Sequence, residues 1–65
     1  MKDGVNHIKD IREMRNLTQQ ELADKIGVGV RSIRRWENGE ASPDVYNALR
    51  ISAVLMVNFE DIFEI

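Results

Sequence analysis

The chain has 65 residues, of which 43% are hydrophobic and 31% are charged, and it contains no cysteine. A chain of this length forms one domain, over residues 1–65, and buries only about 60% of the surface that it exposes when unfolded. The lack of cysteine excludes disulfides and thiolate metal sites. No apolar run approaches the about 18 residues of a membrane span, and no basic, apolar leader follows Met1. We therefore expect a cytoplasmic protein with no membrane partner.

The formal net charge of −2 conceals an uneven distribution. Residues 1–39 contain eight basic and six acidic side chains, whereas residues 40–65 contain one arginine and five acidic side chains. This asymmetry indicates a basic working half and an acidic remainder.

Helical signals begin near the amino terminus and recur along the chain, so an all-α fold of five short helices is predicted. The first helix is expected over roughly residues 6–15, with Asn16 as a left-handed stop. The second begins at Thr18, which forms a capping box with Glu21, and ends at Gly27.

The third helix is predicted over roughly residues 30–38, with Gly29 as its N-cap and Gly39 at its end. Only three residues, two of them glycine, separate it from the second helix. Two short helices joined in this way have the sequence form of a helix-turn-helix, over about residues 18–38. An ordinary helical hairpin inside a small bundle has the same spacing.

The fourth helix is expected to start with Ser42 as the cap and Pro43 at the first helical position, and to run to about Leu55. Asn58 then caps a fifth helix. A weak strand is possible at residues 1–5.

The third helix has two chemically different sides. At about 100° per residue, Ile33 and Trp36 share the side expected to face the core. The opposite side carries Val30 and the three arginines Arg31, Arg34 and Arg35. Like charges this close repel one another, so an anionic partner would explain them, and the arginine fork suits phosphate or guanine. A solvated charge run is the alternative explanation.

The stretch from Leu17 to Val28, LTQQELADKIGV, resembles the first half of the helix-turn-helix in the lambda-repressor/Cro-like (XRE-type) family. The segment SIRRWENG, residues 32–39, resembles its second half, and the chain from Pro43 onward is similar to its last two helices. The resemblance covers roughly residues 7–63. It implies a compact five-helix domain that binds double-stranded DNA through its third helix, most often as a bacterial or phage repressor and as a homodimer.

The resemblance also implies roles for individual residues. The positions that meet base edges in this family are occupied by Val30, Arg31 and Arg35. The residues expected against the DNA backbone are Gln19, Gly29, Arg34 and Asn38. In some relatives an ion pair joins the first and third helices, and Arg12 and Glu37 occupy its two positions.

Three residues depart from the family pattern. Gly29 replaces the usual Ser or Thr and so lacks a phosphate-binding hydroxyl. Glu40 stands where relatives often carry Lys or Arg, which weakens the expected phosphate contacts. Met56 stands where a helix-ending glycine is common, so we expect the join between the last two helices to differ.

The last third of the chain is unusually apolar, with 14 hydrophobic residues among the 21 from 45 to 65. Two short helices in so small a domain cannot bury them all on one side. We therefore expect a homodimer interface there, because exposed apolar patches mark interfaces. Its candidate residues are Val54, Met56, Phe59, Phe63 and Ile65.

Enzymatic chemistry is not indicated. His7 has no partner motif, Ser32 and Ser42 lack a histidine partner, and the acidic residues near the carboxyl terminus fit a solvated face better than a metal site. We expect no cofactor, metal or small-molecule ligand. The second hypothesis is a protein-interaction module on the same scaffold, such as an antitoxin that binds a toxin.

Overall fold

The computed structural model describes residues 6–63. The possible strand at residues 1–5 and the candidate interface residue Ile65 lie outside this range. The described chain forms five helices, which are α1 (Ile8–Met14), α2 (Gln19–Ile26), α3 (Val30–Glu37), α4 (Val45–Leu55) and α5 (Phe59–Ile62). The all-α, five-helix prediction is confirmed.

The core takes side chains from all five helices. Helix α2 packs against α3 and α4, and α1 packs against the same two helices. The largest fully buried side chains are Ile8, Leu22, Ile33, Ile51, Leu55 and Ile62. Trp36 is also buried, as the helical spacing predicted, and this leaves the opposite side of α3 free.

The sequence predicted the start of α2 correctly and the start of α4 incorrectly. The capping box of α2 is confirmed, because Thr18 Oγ1 accepts from Glu21 N at 3.0 Å and Glu21 Oε1 accepts from Thr18 N at 2.8 Å. The predicted cap of α4 is wrong, since α4 begins two residues after Pro43. Asp44 is its N-cap, with Oδ1 accepting from Asn47 N at 2.9 Å. A carboxylate at this position also interacts favourably with the helix dipole, which a serine hydroxyl does not.

Helix α1 is shorter than predicted at both ends, although its left-handed stop is confirmed at Asn16. At its start, Asn6 forms an antiparallel bridge with Phe63, and His7 N donates to Ile62 O at 2.8 Å. The backbone just before α1 is therefore paired with the end of α5, which holds the two ends of the described chain together.

The first four helices end in the same way, with one left-handed residue. These residues are Asn16, Gly27, Gly39 and Met56. In each case the N–H of the following residue donates to a carbonyl five residues earlier, the Schellman arrangement. The four donors are Leu17, Val28, Glu40 and Val57.

The join between α4 and α5 keeps this arrangement although Met56 replaces glycine. The prediction that this join would differ is therefore wrong. Met56 has φ 60° and ψ 46°. From α1, Arg15 Nε donates to Leu55 O at 2.7 Å, which satisfies a carbonyl at the end of α4. Tertiary hydrogen bonding thus supports a backbone conformation that a methionine does not favour by itself.

A buried ion pair connects α1 to α3. Arg12 Nε donates to Glu37 Oε2 at 2.6 Å and Nη2 donates to Oε1 at 3.2 Å. Only 8% of the Arg12 side chain and 1% of the Glu37 side chain are exposed. The hydrogen bond to Glu37 raises the pKa of Arg12 above its ordinary value, against the effect of burial. The guanidinium therefore stays charged.

Removing either partner should destabilise the fold strongly, because the other charge would remain buried and unpaired. We expect Arg12→Met and Glu37→Leu each to lower the free energy of unfolding by about 3–5 kcal/mol, and the double variant to lose clearly less than their sum. Urea denaturation of the four proteins measures this coupling. As a control, Glu13, which lies 3.9 Å from Arg12 but is 58% exposed, should show almost no coupling. If the double variant lost as much unfolding free energy as the two single variants together, the two side chains would not be coupled and the prediction would be wrong.

Candidate nucleic-acid interface

The turn between α2 and α3 is short and leaves little freedom in the angle between them. Gly27 ends α2 in the left-handed conformation, and Gly29 is the N-cap of α3 with extended backbone. The Gly29 carbonyl accepts from Ser32 N at 3.0 Å, and Gly29 itself has no side chain to cap the helix. Val28 between them is half-buried and packs on the core. The turn is thus anchored at its centre.

Helix α3 exposes the three arginines predicted from its spacing, Arg31, Arg34 and Arg35. Within residues 6–63, neither Arg31 nor Arg34 has a carboxylate within ion-pair distance. Arg34 and Arg35 lie in the last turn, where positive charge also interacts favourably with the helix dipole. Val30 shares this side of α3 but is half-buried and packs against the core, so only part of its side chain is accessible.

Gln19, the first residue of α2, lies beside the end of α3. Its Nε2 donates to Glu37 Oε1 at 2.9 Å, so one of its two amide hydrogens is committed to the buried carboxylate. Arg12 Nη1 donates to the Leu17 carbonyl at 2.7 Å, just before α2 begins. The ion pair between α1 and α3 therefore also holds the start of α2.

The carboxyl end of α3 carries polar contacts that the sequence did not indicate. Asn6 Nδ2 donates to the Trp36 carbonyl at 2.9 Å, across 30 residues of chain. Asn38, the C-cap, is exposed, and its Nδ2 lies 3.4 Å from Glu40 Oε2. Glu40 Oε1 lies 4.0 Å from Arg35 Nε. No local pattern reveals the contact of Asn6, because it depends on how distant segments pack, whereas the contacts of Glu40 depend on the left-handed turn at Gly39.

The candidate interface residues of the last third differ in exposure. Met56 is 72% exposed, whereas Val54, Phe59 and Phe63 are half-buried. The rings of Phe59 and Phe63 contact each other, with centroids 4.9 Å apart. Three other large apolar residues of the last third are more exposed than these phenylalanines, and all lie on α4. They are Val45, Tyr46 and Leu49.

Between residues 6 and 63, no three histidine, aspartate or glutamate side chains lie together as metal ligands would. None of the described helices is both long enough and apolar enough to span a bilayer.

Comparison with known proteins identifies the family. The helix-turn-helix family matches residues 8–62. A helix-turn-helix transcriptional regulator of Methanocaldococcus jannaschii is 40% identical over 58 residues, which is 89% of this chain and 88% of that protein. A type II methyltransferase of Lactococcus lactis subsp. cremoris is 53% identical over 51 residues, 74% of this chain. The chain spans only 12% of that enzyme.

Among solved structures, the P22 c2 repressor in complex with a synthetic operator superimposes with a TM-score of 0.80 at 28% identity. The match covers 83% of this chain and 82% of the repressor chain. The motif, the five helices and these similarities agree. The chain therefore belongs to the helix-turn-helix family, in its lambda-repressor/Cro-like (XRE-type) branch.

Proposed function

We propose that this protein is a sequence-specific regulator of transcription, a repressor that inserts α3 into the major groove of double-stranded DNA. The observation that carries the proposal is the outer side of α3, where three exposed arginines follow a tight turn. Two of them have no carboxylate partner among residues 6–63. The P22 c2 repressor, which has the same fold, is bound to an operator in its solved structure. We also propose a cytoplasmic location, where a bacterial or phage regulator would meet its DNA.

Each residue of the interface has a proposed role. Arg31 and Arg35 read base edges, most simply guanine O6 and N7, and the accessible part of Val30 contacts a thymine methyl group. Arg34 binds phosphate. The remaining backbone contacts come from the free amide hydrogen of Gln19, the main chain at Gly29 and the amide of Asn38.

We further propose that the protein binds a near-palindromic operator as a homodimer through its last third. One α3 offers only a few base-reading side chains, and a two-fold axis doubles the site. Half-sites about 34 Å apart would place both α3 helices in the major groove on one side of the duplex. Met56 supports this interface because it is a large apolar side chain at 72% exposure, and Val54, Phe59 and Phe63 in the same third of the chain are only half-buried.

The alternative is a protein-interaction module, such as an antitoxin that binds a toxin. The exposed apolar residues Val45, Tyr46 and Leu49 favour this second function, since they offer an apolar surface on α4 rather than on α3. The three arginines favour DNA binding, because a module that binds only protein does not need a basic surface of this kind. A gel-shift assay against the promoter of its own gene, at several salt concentrations, separates the two functions.

Substitutions on α3 should divide into two classes. Arg31→Ala and Arg35→Ala should each cost about 1–3 kcal/mol of discrimination at one base pair. Arg34→Ala should instead weaken binding to all sequences and reduce the salt slope by about one unit. Fluorescence anisotropy with single-base operator variants measures both effects. Unchanged affinity and base preference in Arg35→Ala would show that the assigned face is wrong.

The dimer can be tested with two methionines of equal exposure. Met56→Glu should place a charge in the interface and yield a monomer of about half the sedimenting mass, because burying an unpaired carboxylate is unfavourable. Met14→Glu is the matched control, since Met14 is also 72% exposed but lies on α1. Analytical ultracentrifugation at micromolar concentration, with and without operator, gives the answer. A wild-type protein that remains a 7.5 kDa monomer under both conditions would rule out the homodimer.

A further inference from the structure

Glu40 is an exception among the residues that follow the left-handed helix ends. After α1, α2 and α4 the corresponding residue is apolar and packs against the core, as Leu17, Val28 and Val57 do. An apolar contact is what usually accompanies this helix ending. After α3 the same position holds an exposed carboxylate. The fold therefore does not explain this residue.

The main chain holds Glu40 in a fixed position against the last turn of α3. Glu40 N donates to the Arg35 carbonyl at 2.9 Å, and Gly39 N donates to the Trp36 carbonyl at 3.2 Å. The two carboxylate oxygens then point to different partners. Oε1 lies 4.0 Å from Arg35 Nε, and Oε2 lies 3.4 Å from Asn38 Nδ2. Glu40 therefore faces two side chains that the proposed function assigns to DNA.

We propose that Glu40 is a specificity-determining residue, an inference that rests on the proposed DNA-binding function. Its charge has two effects on Arg35. It draws the Nε side of the guanidinium towards the helix end, which leaves the terminal nitrogens for a guanine edge. It also repels any phosphate that approaches Arg35 or Asn38.

These effects differ between specific and non-specific complexes. On non-specific DNA, Arg35 has only phosphates to bind, and the Glu40 charge opposes that contact. On an operator, Arg35 is satisfied by a base edge, and its orientation by Glu40 lowers the conformational entropy lost on binding. The carboxylate thus lowers affinity for all DNA but lowers it least where the correct base is present, so the ratio of specific to non-specific affinity rises.

The test uses Glu40→Gln, which keeps the shape of the side chain and removes its charge. The two probes are an unselected random-sequence duplex library and the duplex that wild-type protein enriches from it. We expect the variant to bind the unselected library about fivefold tighter at low salt, and the enriched duplex with a smaller gain. The specificity ratio should therefore fall.

Glu13→Gln is the matched control for the loss of one negative charge. Glu13 is 58% exposed and lies 3.9 Å from an arginine, whereas Glu40 is 59% exposed and lies 4.0 Å from one. Glu13 is on α1, and within residues 6–63 no hydrogen bond or ion pair joins it to Asn38 or Arg35, so this variant should leave the specificity ratio unchanged.

Three results would overturn the proposal. The first is a Glu40→Gln variant that binds the unselected library no tighter than wild type, and the second is a Glu40→Gln variant whose affinities for both probes rise equally, which leaves the specificity ratio unchanged. The third is an equal fall of the specificity ratio in Glu13→Gln. If the wild-type protein enriches no duplex at all, the proposed function itself fails, and the role of Glu40 fails with it. The enrichment with wild-type protein alone reveals that outcome, before any variant is measured.

Discussion

The buried pair of Arg12 and Glu37 is the contact on which the placement of α3 depends. Its two members come from α1 and from the last residue of α3, and the same groups reach the Leu17 carbonyl and the Gln19 amide at the start of α2. Three helices therefore meet at one set of hydrogen bonds. Because every donor and acceptor in the set is directional, the pair restricts how α3 can rotate about its own axis, which apolar packing of Ile33 and Trp36 alone does less well.

The orientation of α3 decides which of its side chains face outward. With Ile33 and Trp36 buried, Arg31, Arg34 and Arg35 are held outside the core. Arginines on an irregular loop would have to be ordered on binding, at an entropic cost that a rigid helix has already met. A small helical domain can thus present a defined pattern of hydrogen-bond donors with only a few side chains.

The ends of the helices show how local and tertiary interactions share the work. Asn16, Gly27 and Gly39 tolerate a left-handed backbone by themselves, and these stops were predictable. Met56 adopts the same conformation where Arg15 reaches the end of α4 from 40 residues away. The start of α4 was misplaced in the sequence analysis. Ser42 and Asp44 are both good caps, and the sequence does not show which of them accepts a hydrogen bond from the first turn of the helix.

Local chemistry in the sequence determined the number and order of the helices, the capping box at Thr18 and the division of α3 into a buried and a basic side. Each of these depends on residues within about two helical turns, where periodicity and capping rules apply. The tertiary structure decided the rest. Three features depend on how segments distant in the chain pack against each other. They are the burial of the Arg12–Glu37 pair, the contact of Asn6 with the Trp36 carbonyl and the exposure of Met56. Glu40 is the intermediate case: its charge was visible in the sequence, but its position against Arg35 and Asn38 follows only from the left-handed turn at Gly39, which folds the chain back over the end of α3.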